Sequence, residues 1–248
     1  KTRIYNCAKE PEIIWLCRFL KKMGASIQGE GTEEILIEGG KIIQGADMQV
    51  PPDRIVAGTY LCAAAATRGR IEIQNPPQGE LTAFLEVYRK MGGQYEWNSG
   101  KLVADGSRVR FPVSMTETAA YPGFPTDLQS LLMAVLATIP GKSCILESVF
   151  EDRFKITGEL NRMGAEIRTE GRKAWIRGTS DLQGGYLQAQ ELRGGAALVV
   201  AALAARGESI VEGYSFICRG YEDIVQDISD LGGKIKKDTG MTTYEYIQ

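Results

Sequence analysis

LKKMGASI at residues 20–27, YRKMGGQY at 88–95, LNRMGAEI at 160–167 and ISDLGGKI at 228–235 are one short phrase written four times. Their first glycines, Gly24, Gly92, Gly164 and Gly232, stand 68, 72 and 68 residues apart. In each phrase a polar helix end runs into glycine and then an apolar residue, as expected for a helix stopped by a glycine C-cap and followed by a strand. Self-similarity at a fixed period is the mark of tandem structural units, here of about seventy residues.

A second element recurs ahead of the last three phrases: DRIVAGTYLCAAAATRG from Asp53 to Gly69, DLQSLLMAVLATIPG from Asp127 to Gly141, and ELRGGAALVVAALAARG from Glu191 to Gly207. Each is an acid, an alanine-rich apolar helix and a glycine stop. Strands are predicted between the two helices of a unit, at 70–74, 143–148 and 208–212. Others follow the second helix, as at 35–38 and 174–177. The unit is therefore helix, strand, helix and strand pair, an α+β repeat. Residues 1–6 read as the strand that follows a first helix, and that helix is absent from the sequence. The expectation is a partial unit plus three whole ones, cut from a longer chain or a shortened relative. Pro51-Pro52 marks a domain seam, dividing the chain into 1–51, the last part of a first globular domain, and 52–248, a second.

The 248 residues, 44% hydrophobic and 24% charged, suffice for a sizeable core. With 29 basic against 31 acidic residues and no long run of one sign, nothing points to nucleic acid or to a membrane surface. The most apolar stretches, 55–66 and 196–205, are too short to span a bilayer. Five scattered cysteines predict reduced thiols in the cytoplasm rather than a disulfide frame or a metal site. Histidine is absent, so acid-base work falls to carboxylate, lysine, tyrosine or thiol.

The candidate for that work is Asp127. It ends the loop Tyr121-Pro122-Gly123-Phe124-Pro125-Thr126, whose prolines fix φ and whose aromatics call for burial. Two readings stand side by side: Asp127 as an aimed acid, or as the N-cap of the apolar helix that follows it. Helix N-termini favour anions, yet arginines stand at several of them. Arg54 and Arg193 lie in first turns of alanine-rich helices, and Arg153 and Arg219 near the starts of second helices. Each can pair with a nearby acid such as Asp53, Glu151 or Glu222. If the helix starts share a face, several together can clamp a phosphate or carboxylate. Gly29-Glu30-Gly31 lacks the third glycine of a dinucleotide loop and reads as a turn between strands.

AKEPEI (8–13), PDRIVAGT (52–59), YPGFPTDLQ (121–129), SVFEDRF (148–154), ELRGGAAL (191–198) and RGYE (219–222) together resemble the enolpyruvyl transferases over essentially the whole chain. The resemblance implies six repeats in two globular domains, each an inside-out α/β barrel with helices inside and sheets outside, and substrates in the cleft between them. It implies transfer of an enolpyruvyl group from phosphoenolpyruvate to a hydroxyl of UDP-N-acetylglucosamine, with loss of phosphate, at the entry to peptidoglycan synthesis, and it implies no cofactor and no metal. The alternatives are shikimate 3-phosphate as acceptor, or a non-catalytic UDP-sugar-binding relative. Carried over by residue, Asp127 matches the aspartate that touches the acceptor sugar and takes its proton. Thr126 and Val149 match contacts to the UDP-sugar, Arg193 and Arg219 the pair that binds phosphoenolpyruvate, and Glu10, Arg54, Glu151 and Arg153 supporting charges. The family's Lys-Asn pair and cysteine loop match nothing here, so the chain alone is expected not to turn over. It is expected to self-associate or to pair with a complementary N-terminal half. Cys218, Glu191 and Val56 stand where the family usually has an acid, aspartate at the first two.

Overall fold

The computed structural model describes residues 1–40, 43–238 and 245–247. The four repeated phrases become four copies of one turn. Helices α1 (Pro11–Lys22), α3 (Thr82–Lys90), α5 (Thr157–Arg162) and α8 (Ile224–Asp230) each stop one residue before the glycine-containing turn. Gly24, Gly92, Gly164 and Gly232 follow with φ between 90° and 103°, a left-handed backbone that a side chain would strain.

A hairpin of two strands follows each of these helices, and the sheet order repeats with it. The partial unit contains β1 (Thr2–Tyr5), β2 (Ser26–Gln28) and β3 (Glu34–Glu38), ordered β1-β3-β2. The next has β4 (Arg70–Gln74), β5 (Gln94–Asn98) and β6 (Lys101–Asp105), ordered β4-β6-β5. In the third, β7 (Thr116–Glu117), β8 (Gly141–Leu146), β9 (Glu166–Glu170) and β10 (Lys173–Gly178) give β7-β8-β10-β9. In the last, β11 (Tyr186–Gln188), β12 (Ser209–Glu212), β13 (Ile235–Lys237) and β14 (Glu245–Ile247) give β11-β12-β14-β13. In each unit the last strand lies antiparallel between the two strands that flank the second helix, so that helix crosses over a split β-α-β unit. The Gly29-Glu30-Gly31 stretch is the turn between β2 and β3.

The alanine-rich segments form α2 (Arg54–Thr67), α4 (Gln129–Ala137) and α6 (Leu192–Ala204), which pack against one another. All nine residues of α4 are buried. Small side chains let the helix axes approach; a β-carbon on Gly58 of α2 would stand 2.6 Å from a Leu128 methyl. At the opposite end, Arg68 caps α2 with φ 60° and donates to the carbonyls of Ala66 and Thr138, both at 3.0 Å. A cation there complements the C-terminal ends of α2 and α4. Among the described residues there are two separate apolar clusters. The larger, within 55–228, contains the three helices; the smaller gathers Cys17, Ile27 and Ile35 in the partial unit. Cys17, Cys62 and Cys144 are buried thiols, Cys7 is half-buried, and Cys218 is exposed. No described helix is long and apolar enough to cross a membrane.

Candidate functional site

The N-terminal ends of α2, α4 and α6 open onto one cavity of about 710 Å³, which α1 borders from the partial unit. The sequence left open whether these helix starts share a face; three of the four flagged arginines, Arg54, Arg153 and Arg193, line this cavity. The first-turn N–H groups of α2 and α6 do not face an incoming anion freely. Asp53 accepts from Ile55 N at 2.6 Å and Val56 N at 3.1 Å, and Glu191 from Gly194 N at 2.5 Å and Arg193 N at 3.0 Å. With those donors capped by the chain's own acids, positive charge is delivered by the guanidinium groups.

The arginines' partners differ from the local ones expected. Arg54 reaches Glu12 on α1, with Nε to Oε1 at 2.8 Å and Nη2 to Oε2 at 3.2 Å. Its guanidinium also lies 5.7 Å from the Tyr121 ring. Glu12 is partly buried, which raises its pKa, but the Arg54 hydrogen bonds and charge outweigh this and hold it below the usual carboxylate range. Glu10 accepts from Tyr121 N at 3.2 Å, and its Oε2 is buried without a partner among the described residues. Burial raises the carboxyl pKa of Glu80, on the same wall.

Asp127 is not a helix cap. It sits in the 3-10 turn Thr126–Leu128, and the cap position of α4 falls to Leu128, which makes no side-chain cap. The Asp127 carboxylate instead bridges two cations, Arg153 Nη2 at 2.8 Å and Arg193 Nη2 at 3.4 Å. It remains 39% exposed, so it faces the cavity while paired. Arg153 lies 4.9 Å from the Phe150 ring and Arg193 6.0 Å from that of Tyr221. Nη1 of Arg193 is buried and meets no acceptor in hydrogen-bonding geometry among the described residues. Tyr221 is itself buried, which pushes its phenol pKa up, and it shares a 2.7 Å hydrogen bond with Thr59.

Thr126 and Val149 line the cavity as well. Arg219 and Glu151 do not. Arg219 lies exposed on the turn after α7 (Tyr214–Ile217), next to Gly220, where an added β-carbon would stand 3.2 Å from Arg193 Nη1. Glu151 is 90% exposed and lies 3.8 Å from Arg172. Three residues escaped the sequence reading. Glu12 follows the flagged Glu10 by two positions in the same motif. Tyr221 sits inside RGYE. Glu147 is the single acid closing the apolar run CIL, and it is 1% exposed. Among the described residues no group of three His, Cys, Asp or Glu side chains is placed to hold a metal.

A cavity walled by arginines at the ends of mutually packed, repeated helices, with one carboxylate held among them, has the chemistry of a site for anionic small molecules. The family model for EPSP synthase (3-phosphoshikimate 1-carboxyvinyltransferase) matches residues 1–228, and the chain belongs to that family. It is similar to UDP-N-acetylglucosamine 1-carboxyvinyltransferase 2 of Caldanaerobacter subterraneus subsp. tengcongensis, with 44% identity over 94% of this chain and 56% of that protein. The protein of the same name in Geobacillus kaustophilus is 40% identical over 100% of this chain and 58% of its own length. The enolpyruvyl transferase NikO from Streptomyces tendae superimposes with a TM-score of 0.83 at 25% identity, over 93% of this chain and 55% of that one. EPSP synthase from Acinetobacter baumannii shares the fold, with a TM-score of 0.65 at 19% identity over 86% and 52%. The chain thus spans little more than half the length of these relatives.

Proposed function

We propose that this chain carries the acceptor-binding and anion-binding half of an enolpyruvyl transferase that moves the enolpyruvyl group of phosphoenolpyruvate onto a hydroxyl of UDP-N-acetylglucosamine and releases phosphate. The observation that carries the reading is Asp127 held between Arg153 and Arg193 at the cavity wall. An incoming phosphate or carboxylate competes for those cations. Once Arg193 turns to the anion, an oxygen of Asp127 is released from the ion pair and can take the proton that the acceptor hydroxyl must lose. Arg193, with Arg219 from the adjoining turn, then stabilises the charge that develops as the tetrahedral intermediate forms and phosphate departs. Thr126 and Val149 are assigned to the sugar, and Glu10, Arg54, Glu151 and Arg153 to the supporting electrostatics.

On this reading residues 1–51 close a first globular domain and 52–248 form a second, each with helices inside and sheets outside. The reaction is the entry to peptidoglycan synthesis, in the cytoplasm, and so serves cell shape and division. The chain alone is inactive without the upstream half, with which it pairs unless it self-associates. The family model's own description favours a second acceptor, shikimate 3-phosphate; the relatives at 40–44% identity favour the UDP-sugar. Competition binding of the two acceptors decides between them. Phosphate release from phosphoenolpyruvate, measured with each acceptor on this chain extended by an upstream half from a relative, tests the reaction. Turnover with UDP-N-acetylglucosamine that is abolished by Asp127→Asn supports the assignment; an unchanged rate in that variant refutes the base. Acceptor binding without turnover in the extended protein would favour a non-catalytic UDP-sugar-binding relative.

A further inference from the structure

Glu147 lies one residue past β8, buried, and among the described residues every hydrogen-bond partner of its carboxylate is a donor. Its Oε1 accepts from Thr118 Oγ1 at 2.8 Å, Val149 N at 2.9 Å and Phe150 N at 3.0 Å. Its Oε2 accepts from Thr126 Oγ1 at 2.8 Å. Thr118 Oγ1 in turn accepts from Ser148 N at 2.9 Å. The carboxylate therefore ties the loop that delivers Thr126 and Asp127 to the loop that delivers Val149, Phe150 and Arg153.

The donors it takes are also the ones this part of the cavity wall would otherwise offer. A threonine hydroxyl has a single proton, and that of Thr126 goes to Glu147, so toward the cavity the hydroxyl can only accept. The N–H groups of Val149 and Phe150 are consumed in the same way. We infer that Glu147 is a positioning and specificity-determining residue: it makes the Thr126–Val149 rim acceptor-only, so that the rim takes a neutral, donor-bearing part of the ligand, an amide N–H or a hydroxyl. The buried negative charge behind the rim also turns anionic groups away, toward Arg153 and Arg193. The ligand's polarity in the cavity is thereby set from behind, by a side chain that does not touch it. This inference rests on the UDP-sugar reading of the same site.

A thermodynamic cycle tests it, with UDP-N-acetylglucosamine titrated calorimetrically into the full 248-residue chain and its variants. In Glu147→Gln the amide nitrogen donates to Thr126, whose proton is then turned into the cavity. Affinity is expected to fall about tenfold, the worth of one hydrogen bond. Thr126→Val is expected to lose about as much, and Glu147→Gln added to Thr126→Val to change little more, because residues acting through one contact are not additive. Losses that simply multiply in the double variant overturn the inference. Thr118→Val removes a different donor from Glu147 and leaves Thr126 unchanged, and it keeps the test decisive should Glu147→Gln fail to fold. Affinity retained within about threefold, below the cost of one hydrogen bond, supports a role through Thr126, whereas a loss equal to that of Thr126→Val shows loop rigidity and overturns it. If the unaltered chain binds no UDP-N-acetylglucosamine at millimolar concentration, the reading of the site has failed, and this inference with it. Binding with multiplicative losses sinks the inference alone.

Discussion

Replacing Asp127 by asparagine should move two affinities in opposite directions. The substitution keeps the shape of the side chain and removes one negative charge from between Arg153 and Arg193, which lie 2.8 and 3.4 Å from its oxygens. An anion bound by the same arginines would stand roughly 5 Å from that carboxylate, where two unit charges repel by about 0.8 kcal/mol in water and about twice that at half its dielectric constant. Because Asp127 is more than a third exposed, the screened range applies. Inorganic phosphate and phosphoenolpyruvate should therefore bind about 4- to 16-fold more tightly to Asp127→Asn. UDP-N-acetylglucosamine loses a charge-assisted hydrogen bond, worth about 1.5–3 kcal/mol, and should bind at least about tenfold more weakly. Isothermal titration of each ligand into the unaltered chain and the variant reads both effects, with the melting temperature as a check on the fold. Phosphate affinity that is unchanged or lower in a folded variant would refute the argument, since it would mean that the two arginines do not present their charge to the cavity.

Gly58→Ala drives a methyl to within 2.6 and 2.7 Å of the two Leu128 methyls, in a fully buried seam next to Asp127. It should cost about 1–3 kcal/mol in chemical denaturation, with a smaller replacement at Leu128 restoring part of the loss. For the Glu12–Arg54 pair the sign follows from the lowered carboxyl pKa of Glu12: its stabilisation is present above the unfolded value of 4.5 and is lost as pH falls through the folded value. Unaltered protein should therefore melt above Glu12→Gln at pH 7, with the gap narrowing as pH falls below 4.5; a gap that does not narrow on acidification would deny the ion pair. Cys218 should be the first thiol modified by a maleimide in native protein, with Cys17, Cys62 and Cys144 reacting only on unfolding, which mass spectrometry of partly labelled protein would show.

The repeat was legible because its signals are local. A glycine that must adopt positive φ at the end of a polar helix leaves the same mark at Gly24, Gly92, Gly164 and Gly232 wherever the unit recurs. The alanine-rich helices were legible for a similar reason, since close packing of helix axes demands small side chains along their length. The candidate residues Thr126, Asp127, Val149, Arg54, Arg153 and Arg193 were also named on sequence, from helix starts and from the family likeness.

Partnership was not legible. Arg54 finds Glu12, 42 positions away, rather than its neighbour Asp53, which is occupied with backbone N–H groups. Asp127 reads locally as an N-cap, but a 3-10 turn moves the cap of α4 one residue beyond it to Leu128, and Arg193, 66 residues on, helps to claim it. Glu147 carries no motif at all, and its importance appears only when the donors of two loops are seen to converge on it. Sequence by itself determined the unit, its period and the chemical types gathered at helix starts, because backbone propensity and period are properties of short stretches. Only the tertiary structure decided which charges neutralise each other and which donors remain, because that depends on distances between residues far apart in the chain.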